Sequence, residues 1–165
     1  MMAVSDPNPT PAARDVAPGT PRLAFWLGFA GLIPQALALI AVVAGNPEGR
    51  FSPLALAYAY AALILSFLGG MWWGLAAQAR RRVPAWLWVA AVLPSLIALA
   101  SALPWATGAS WPGPSLALLG IALLGSLAVD RQLRAAGLCP PWWLWLRVPL
   151  SVGLGGMTLA IAAFS

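Results

Sequence analysis

Five apolar runs divide the sequence between Leu23 and Phe164: Leu23–Ala44, Leu54–Ala77, Ala85–Leu103, Ser115–Val129 and Trp142–Phe164. A helix needs about 20 predominantly apolar residues to cross the hydrocarbon core of a bilayer. The first run has 22 residues and the fourth only 15, and the fourth extends back toward Trp111, because proline fits the first turn of a helix. The breaks read GNPEGRFSP, QARRRVP, PWATGASWPGP and DRQLRAAGLCPP. Each carries the proline, glycine or charge that ends a helix, and none is long enough for a soluble domain.

This pattern predicts an all-α polytopic membrane helical bundle, a transmembrane domain over 22–165 with five transmembrane helices. Their expected bounds are about 23–44, 54–79, 85–103, 113–130 and 141–164. Composition requires the same class. The chain is 61% hydrophobic and 8% charged, with a mean hydropathy of +0.84, whereas a soluble domain carries roughly 25% charged residues. Residues 1–21, rich in Pro, Ala and polar side chains, are expected to form a disordered cytoplasmic tail, since they bury too little surface to offset ordering. A cleaved signal peptide is the rival reading of the first 44 residues. The first apolar run is longer than the usual h-region of about 7–15 residues, so it is read as a retained helix.

Arginine sets the expected direction. All nine basic residues are Arg. Alternating sides places Arg14, Arg22, Arg80, Arg81, Arg82, Arg131 and Arg134 at one face of the membrane, and Arg50 alone at the other. Seven against one predicts the N-terminus inside and the C-terminus outside. Trp26, Trp86, Trp88, Trp142, Trp143 and Trp145 fall near the arginine-rich side, and Tyr58, Tyr60, Trp105 and Trp111 near the other, as an aromatic belt would. The net charge of +5 is therefore an orientation signal and not a nucleic-acid patch. An Arg-only, Ala/Gly/Pro-rich composition suits a GC-rich bacterial genome, and the expected location is the inner (cell) membrane.

Catalytic constellations are missing from the sequence. Histidine is absent and no phosphate-cradling glycine loop occurs. Neither paired intramembrane carboxylates nor clustered metal ligands are present, so the expectation is no catalytic residue, no cofactor, no metal and no enzymatic activity. Cys139 stands alone, at the border of the arginine-rich side, which rules out an intrachain disulfide. A short echo links Pro84-Ala85-Trp86-Leu87-Trp88 with Pro141-Trp142-Trp143-Leu144-Trp145; selection of Pro and Trp where helices enter a membrane accounts for it.

Three features remain as candidate sites. In helix two, Ala62, Ser66, Gly70 and Gly74 are spaced by four within Ser66-Phe67-Leu68-Gly69-Gly70-Met71-Trp72-Trp73-Gly74. They line one ridge, and a ridge without bulk lets another helix approach in lipid; Ser66, Gly69, Gly70, Trp73 and Gly74 are the expected packing motif. Arg147 lies inside the fifth apolar run, where an ionisable group costs roughly 2.5–3.5 kcal/mol on insertion scales. It can snorkel to headgroups or pair with Asp130, expected at the end of helix four. Prolines stand near the middle of helices one, three and five, at Pro34, Pro94 and Pro149, with Gln35 and Ser95 directly following the first two. These polar side chains are placed to hydrogen-bond between helices.

The helix-two segment Ala61-Ala62-Leu63-Ile64-Leu65-Ser66-Phe67-Leu68-Gly69-Gly70-Met71-Trp72-Trp73-Gly74 resembles the signature of domain-of-unknown-function family 3429, a group that includes the animal transmembrane protein 69. Gly28-Phe29-Ala30-Gly31-Leu32-Ile33-Pro34 and Leu146-Arg147-Val148-Pro149-Leu150-Ser151 are similar to further family motifs, in the same order. The resemblance spans 22–164 and implies a multi-pass membrane protein without an assigned activity. It also implies a polar His or Arg at the place of Trp72, from which this chain departs. Together these readings predict a non-enzymatic protein that acts by packing against a membrane-protein partner, a second copy of itself or the lipid bilayer. The alternative is a small transporter or channel with a polar path near Gln35, Ser66, Ser95 and Arg147.

Overall fold

The computed structural model describes residues 22–80 and 82–165. The tail 1–21, with its expected disorder, and Arg81 lie outside the described residues. The described chain is helical: α1 (Arg22–Ala30), α2 (Ile33–Ala44), α3 (Phe51–Ala77), α4 (Ala85–Ala100), α5 (Leu103–Ala106), α6 (Gly113–Ala135) and α7 (Trp143–Ala163). These compose five spans long and apolar enough to cross a membrane, with α1 and α2 together forming the first and α4 and α5 the third.

Proline explains the divided first span. Pro34 occupies the opening turn of α2 and has no N–H to continue the ladder from α1. At the break the Gly31 amide bonds back to Leu27 and Gly28, and the Tyr60 hydroxyl of α3 donates to the Gly31 carbonyl. A neighbouring helix thus satisfies backbone that the break leaves open, as lipid requires. Pro94 and Pro149 lie inside the continuous α4 and α7. The fourth span runs past Asp130 to Ala135, so Asp130 sits within the helix and not at its end.

α3 is central, packing against α2, α4, α6 and α7, while α6 lies along α7. Its buried face is Leu54, Ala57, Ala61, Leu65, Leu68, Gly69, Trp72 and Ala76. Leu56, Leu63 and Phe67 point outward, as lipid-facing residues do. α3 approaches α4 closely at Gly69, where a Cβ would collide with the Ala91 carbonyl oxygen. α6 and α7 cross at Gly120 and Gly155. A Cβ on Gly120 would stand 3.2 Å from the Gly155 oxygen, and one on Gly155 3.1 Å from the Gly120 oxygen.

The ridge expected to form the packing motif is displaced from this contact. Gly70 and Gly74 are exposed with open space where a Cβ would stand, and Trp73 is 49% exposed. Ser66 is half-buried. The close contact uses the adjacent ridge Ala61, Leu65 and Gly69, which begins one residue earlier and is rotated by about 100°. Small residues occur on both ridges, so spacing alone could not distinguish them. Of the three glycines in the motif, Gly69 alone has no room for a Cβ.

Substitution separates the two ridges. Gly69→Val should lower the stability of the purified protein by about 1–3 kcal/mol, the usual cost of overpacking. Gly74→Val should leave it within about 0.5 kcal/mol, as surface changes do. Thermal unfolding in mild detergent measures both, and equal effects would contradict the assignment.

Candidate buried polar centre and apolar groove

On α7, Trp143, Arg147 and Ser151 recur at intervals of four, so their side chains line one helical ridge. On α6, Ser126 and Asp130 have the same spacing. The two helices pack along each other, and the ridges meet. Asp130 is fully buried and Arg147 is 6% exposed. Asp130 Oδ2 accepts a hydrogen bond from Arg147 Nε at 2.9 Å. Its Oδ1 accepts from two indoles, Trp143 Nε1 at 2.9 Å and Trp72 Nε1 at 3.0 Å. Arg147 Nη2 donates to Ser151 Oγ at 3.0 Å and to Ser126 Oγ at 3.2 Å. Ser126 in turn donates to the Leu123 carbonyl at 2.7 Å.

A carboxylate only accepts hydrogen bonds and a guanidinium only donates them, so this arrangement matches donors to acceptors without a clash. The charges of Asp130 and Arg147 offset one another. Of the two fates open to Arg147, snorkelling or pairing, the structure has the pair. The remaining guanidinium nitrogen, Nη1, has no hydrogen-bond partner among the described residues.

Sequence reasoning reached Asp130 and Arg147 but missed Ser126, Ser151, Trp72 and Trp143 around them. The recurrence of four on α7 facing that on α6 was the available signal. Trp143 stood among the six tryptophans assigned to the arginine-rich side of the belt; its indole donates inward to Asp130, whereas Trp145 is 83% exposed. Trp72 departs from the polar residue that the family resemblance implied, yet its indole N–H supplies a donor to the carboxylate.

Gln35 is fully buried, and its Nε2 donates to Thr158 Oγ1 of α7 at 3.0 Å. Thr158 passes the bond on to the Leu154 carbonyl at 2.7 Å, while Gln35 Oε1 has no partner among the described residues. Ser95 is exposed on α4. A second polar cluster lies at the opposite end of the bundle. There Tyr58 and Ser101 share a 3.1 Å hydroxyl contact, and Ser115 donates to the Ser101 carbonyl at 2.6 Å.

Beside the Asp130–Arg147 centre, an apolar groove of about 430 Å³ runs between α1, α3 and α7. Leu27 of α1, Leu32 at the α1–α2 break, Ile64 and Phe67 of α3, and Leu150 and Leu154 of α7 are among its apolar lining. Arg147 and Ser151 are its polar members. Gln35, Ser66 and Ser95 do not line it, so the four residues expected along a polar path are not brought to one cavity. Among the described residues no three of His, Cys, Asp and Glu cluster as metal ligands. In the α6–α7 connection, burial pushes the Cys139 thiol above its ordinary pKa; Arg134 pulls it down and Asp130 raises it further.

The pair gives a double-mutant test. Asp130→Ala should destabilise the protein by about 3–5 kcal/mol, because it leaves a buried charge unpaired. Asp130→Ala with Arg147→Met should recover most of that loss, and Trp72→Phe should cost about 1.5–3 kcal/mol as a lost bond to a charged group. Unfolding midpoints in detergent decide it, and additive losses would contradict a coupled centre.

The family model described as protein of unknown function (DUF3429) matches residues 20–164. No curated protein and no solved structure matched the chain.

Proposed function

Because the chain belongs to the DUF3429 family, whose description names no activity, we propose a function from the centre and its groove. The protein is a non-enzymatic, multi-pass protein of the bacterial inner membrane that binds lipid within the bundle. The carrying observation is the apolar groove with a buried guanidinium at its wall. Its volume of about 430 Å³ falls within the range of roughly 300–1,000 Å³ typical of small-molecule sites, and like them it is apolar with few polar groups.

Two features support a non-enzymatic role. The sequence contains no histidine, and the carboxylate of Asp130 is engaged by three N–H donors. A general base needs an acceptor within reach of a substrate proton, whereas Asp130 is fully buried and three of its roughly four acceptor sites are taken. The protein purified in mild detergent should retain lipid that mass spectrometry of the intact complex detects. A preparation free of bound lipid, with its fold intact, would refute this reading.

The arginine distribution supports an N-terminus inside and a C-terminus outside. Single cysteines in a Cys139→Ser background test the orientation, avoiding a native thiol that burial makes less reactive. Ala109→Cys should react with a membrane-impermeant maleimide in intact cells, and Ala136→Cys only after permeabilisation. Both positions are exposed. The reverse pattern would invert the topology.

A further inference from the structure

The groove has a polar mouth. A second cavity, of about 280 Å³, is lined by Arg22, Phe25, Trp26, Trp145 and Leu146. Leu146 also walls the apolar groove, so the two spaces adjoin. Arg22 is the first residue of α1, and Trp145 is the third of α7. Arg147 follows two residues after Trp145, about 6 Å along the axis from the start of α7. Leu154 lies about 10 Å deeper along the same helix. From the helix ends inward, the order is a cation with two indoles, then an unpartnered N–H donor, then an apolar slot.

We propose that these adjoining cavities bind one anionic glycerophospholipid: its phosphate beside Arg22, an ester carbonyl on Arg147 Nη1, and one acyl chain along Leu32, Ile64 and Leu154. The assignment rests on the lipid-binding reading above and names the ligand class. Three points favour this class. A guanidinium attracts a phosphate, and the indoles of Trp26 and Trp145 suit the headgroup level. Asp130 already balances the charge of Arg147, so Nη1 calls for a neutral acceptor such as a carbonyl and not for a second anion. The groove beyond it is apolar, as a hydrocarbon chain requires. Arg147 is more than nine-tenths buried, yet its Nη1, unpartnered among the described residues, is not itself a fully buried atom and stays open to an acceptor in the groove that Arg147 lines.

The test uses the full chain, delipidated in mild detergent and titrated with defined lipids while the intact complex is weighed by mass spectrometry. Ester-linked phosphatidylglycerol should bind tightest. Its ether-linked analogue, which lacks the carbonyls but leaves the protein untouched, should bind roughly tenfold more weakly, the loss expected for a bond to a charged donor. Arg22→Ala should weaken phosphatidylglycerol about fivefold, the worth of one basic residue near an anionic headgroup, and leave diacylglycerol unchanged. Ala24→Trp, which fills the groove wall away from Asp130, should abolish specific binding. Equal affinity for ester and ether lipids, or binding indifferent to Ala24→Trp, would overturn the site. Diacylglycerol binding as tightly as phosphatidylglycerol would overturn the phosphate assignment while lipid binding stood. Retention of none of these lipids would remove both readings.

Discussion

The carboxylate of Asp130 is where the bundle is tied. In lipid, apolar side chains gain little by leaving one hydrocarbon environment for another, so helices associate through close packing and hydrogen bonds. Asp130 draws one donor from α3 and two from α7 onto a residue of α6. No other polar side chain in the described residues joins three spans in this way. The close crossing at Gly120 with Gly155 brings the α6 and α7 backbones near enough for side chains as short as Asp and Ser to meet. Packing and polar contact depend on each other here.

The pair also determines what the neighbouring groove offers. An unpaired arginine at that depth would draw in water or a headgroup, and the groove would be wet. With Asp130 holding Nε and the two serines taking Nη2, one edge of the guanidinium is left toward an otherwise apolar wall. The site therefore combines a hydrocarbon-lined slot with a single directional donor. α1, which has no buried residue, closes one side of this slot.

The helical architecture was legible because span length and the Pro/Gly/Arg punctuation are dictated by the bilayer, independently of how the helices face each other. Asp130 with Arg147 was legible for a related reason: short connections make neighbours, and a charge inside an apolar run needs a counter-charge. Facing was harder to read. Gly69, Gly70 and Gly74 are chemically alike, and the side of α3 turned inward is chosen by partners far away in sequence, such as Ala91. Trp72 and Trp143 were obscured because tryptophan serves equally as an interface anchor and as a buried donor. The groove has no sequence signature, since it lies between α1, α3 and α7, elements far apart in the chain.

The order in which these groups are synthesised has a consequence for biogenesis. α3 precedes α6, so Trp72 is in the chain before Asp130 enters the bilayer and can greet the carboxylate with an N–H. The counter-charge is 17 residues further on, in α7, which leaves the ribosome after α6. Until α7 arrives, the nascent protein carries a lone acidic group held by one indole. Insertion of α7 then neutralises that group and adds a second indole donor in a single event. A truncated chain lacking α7 would therefore present quality control with an unmatched intramembrane charge.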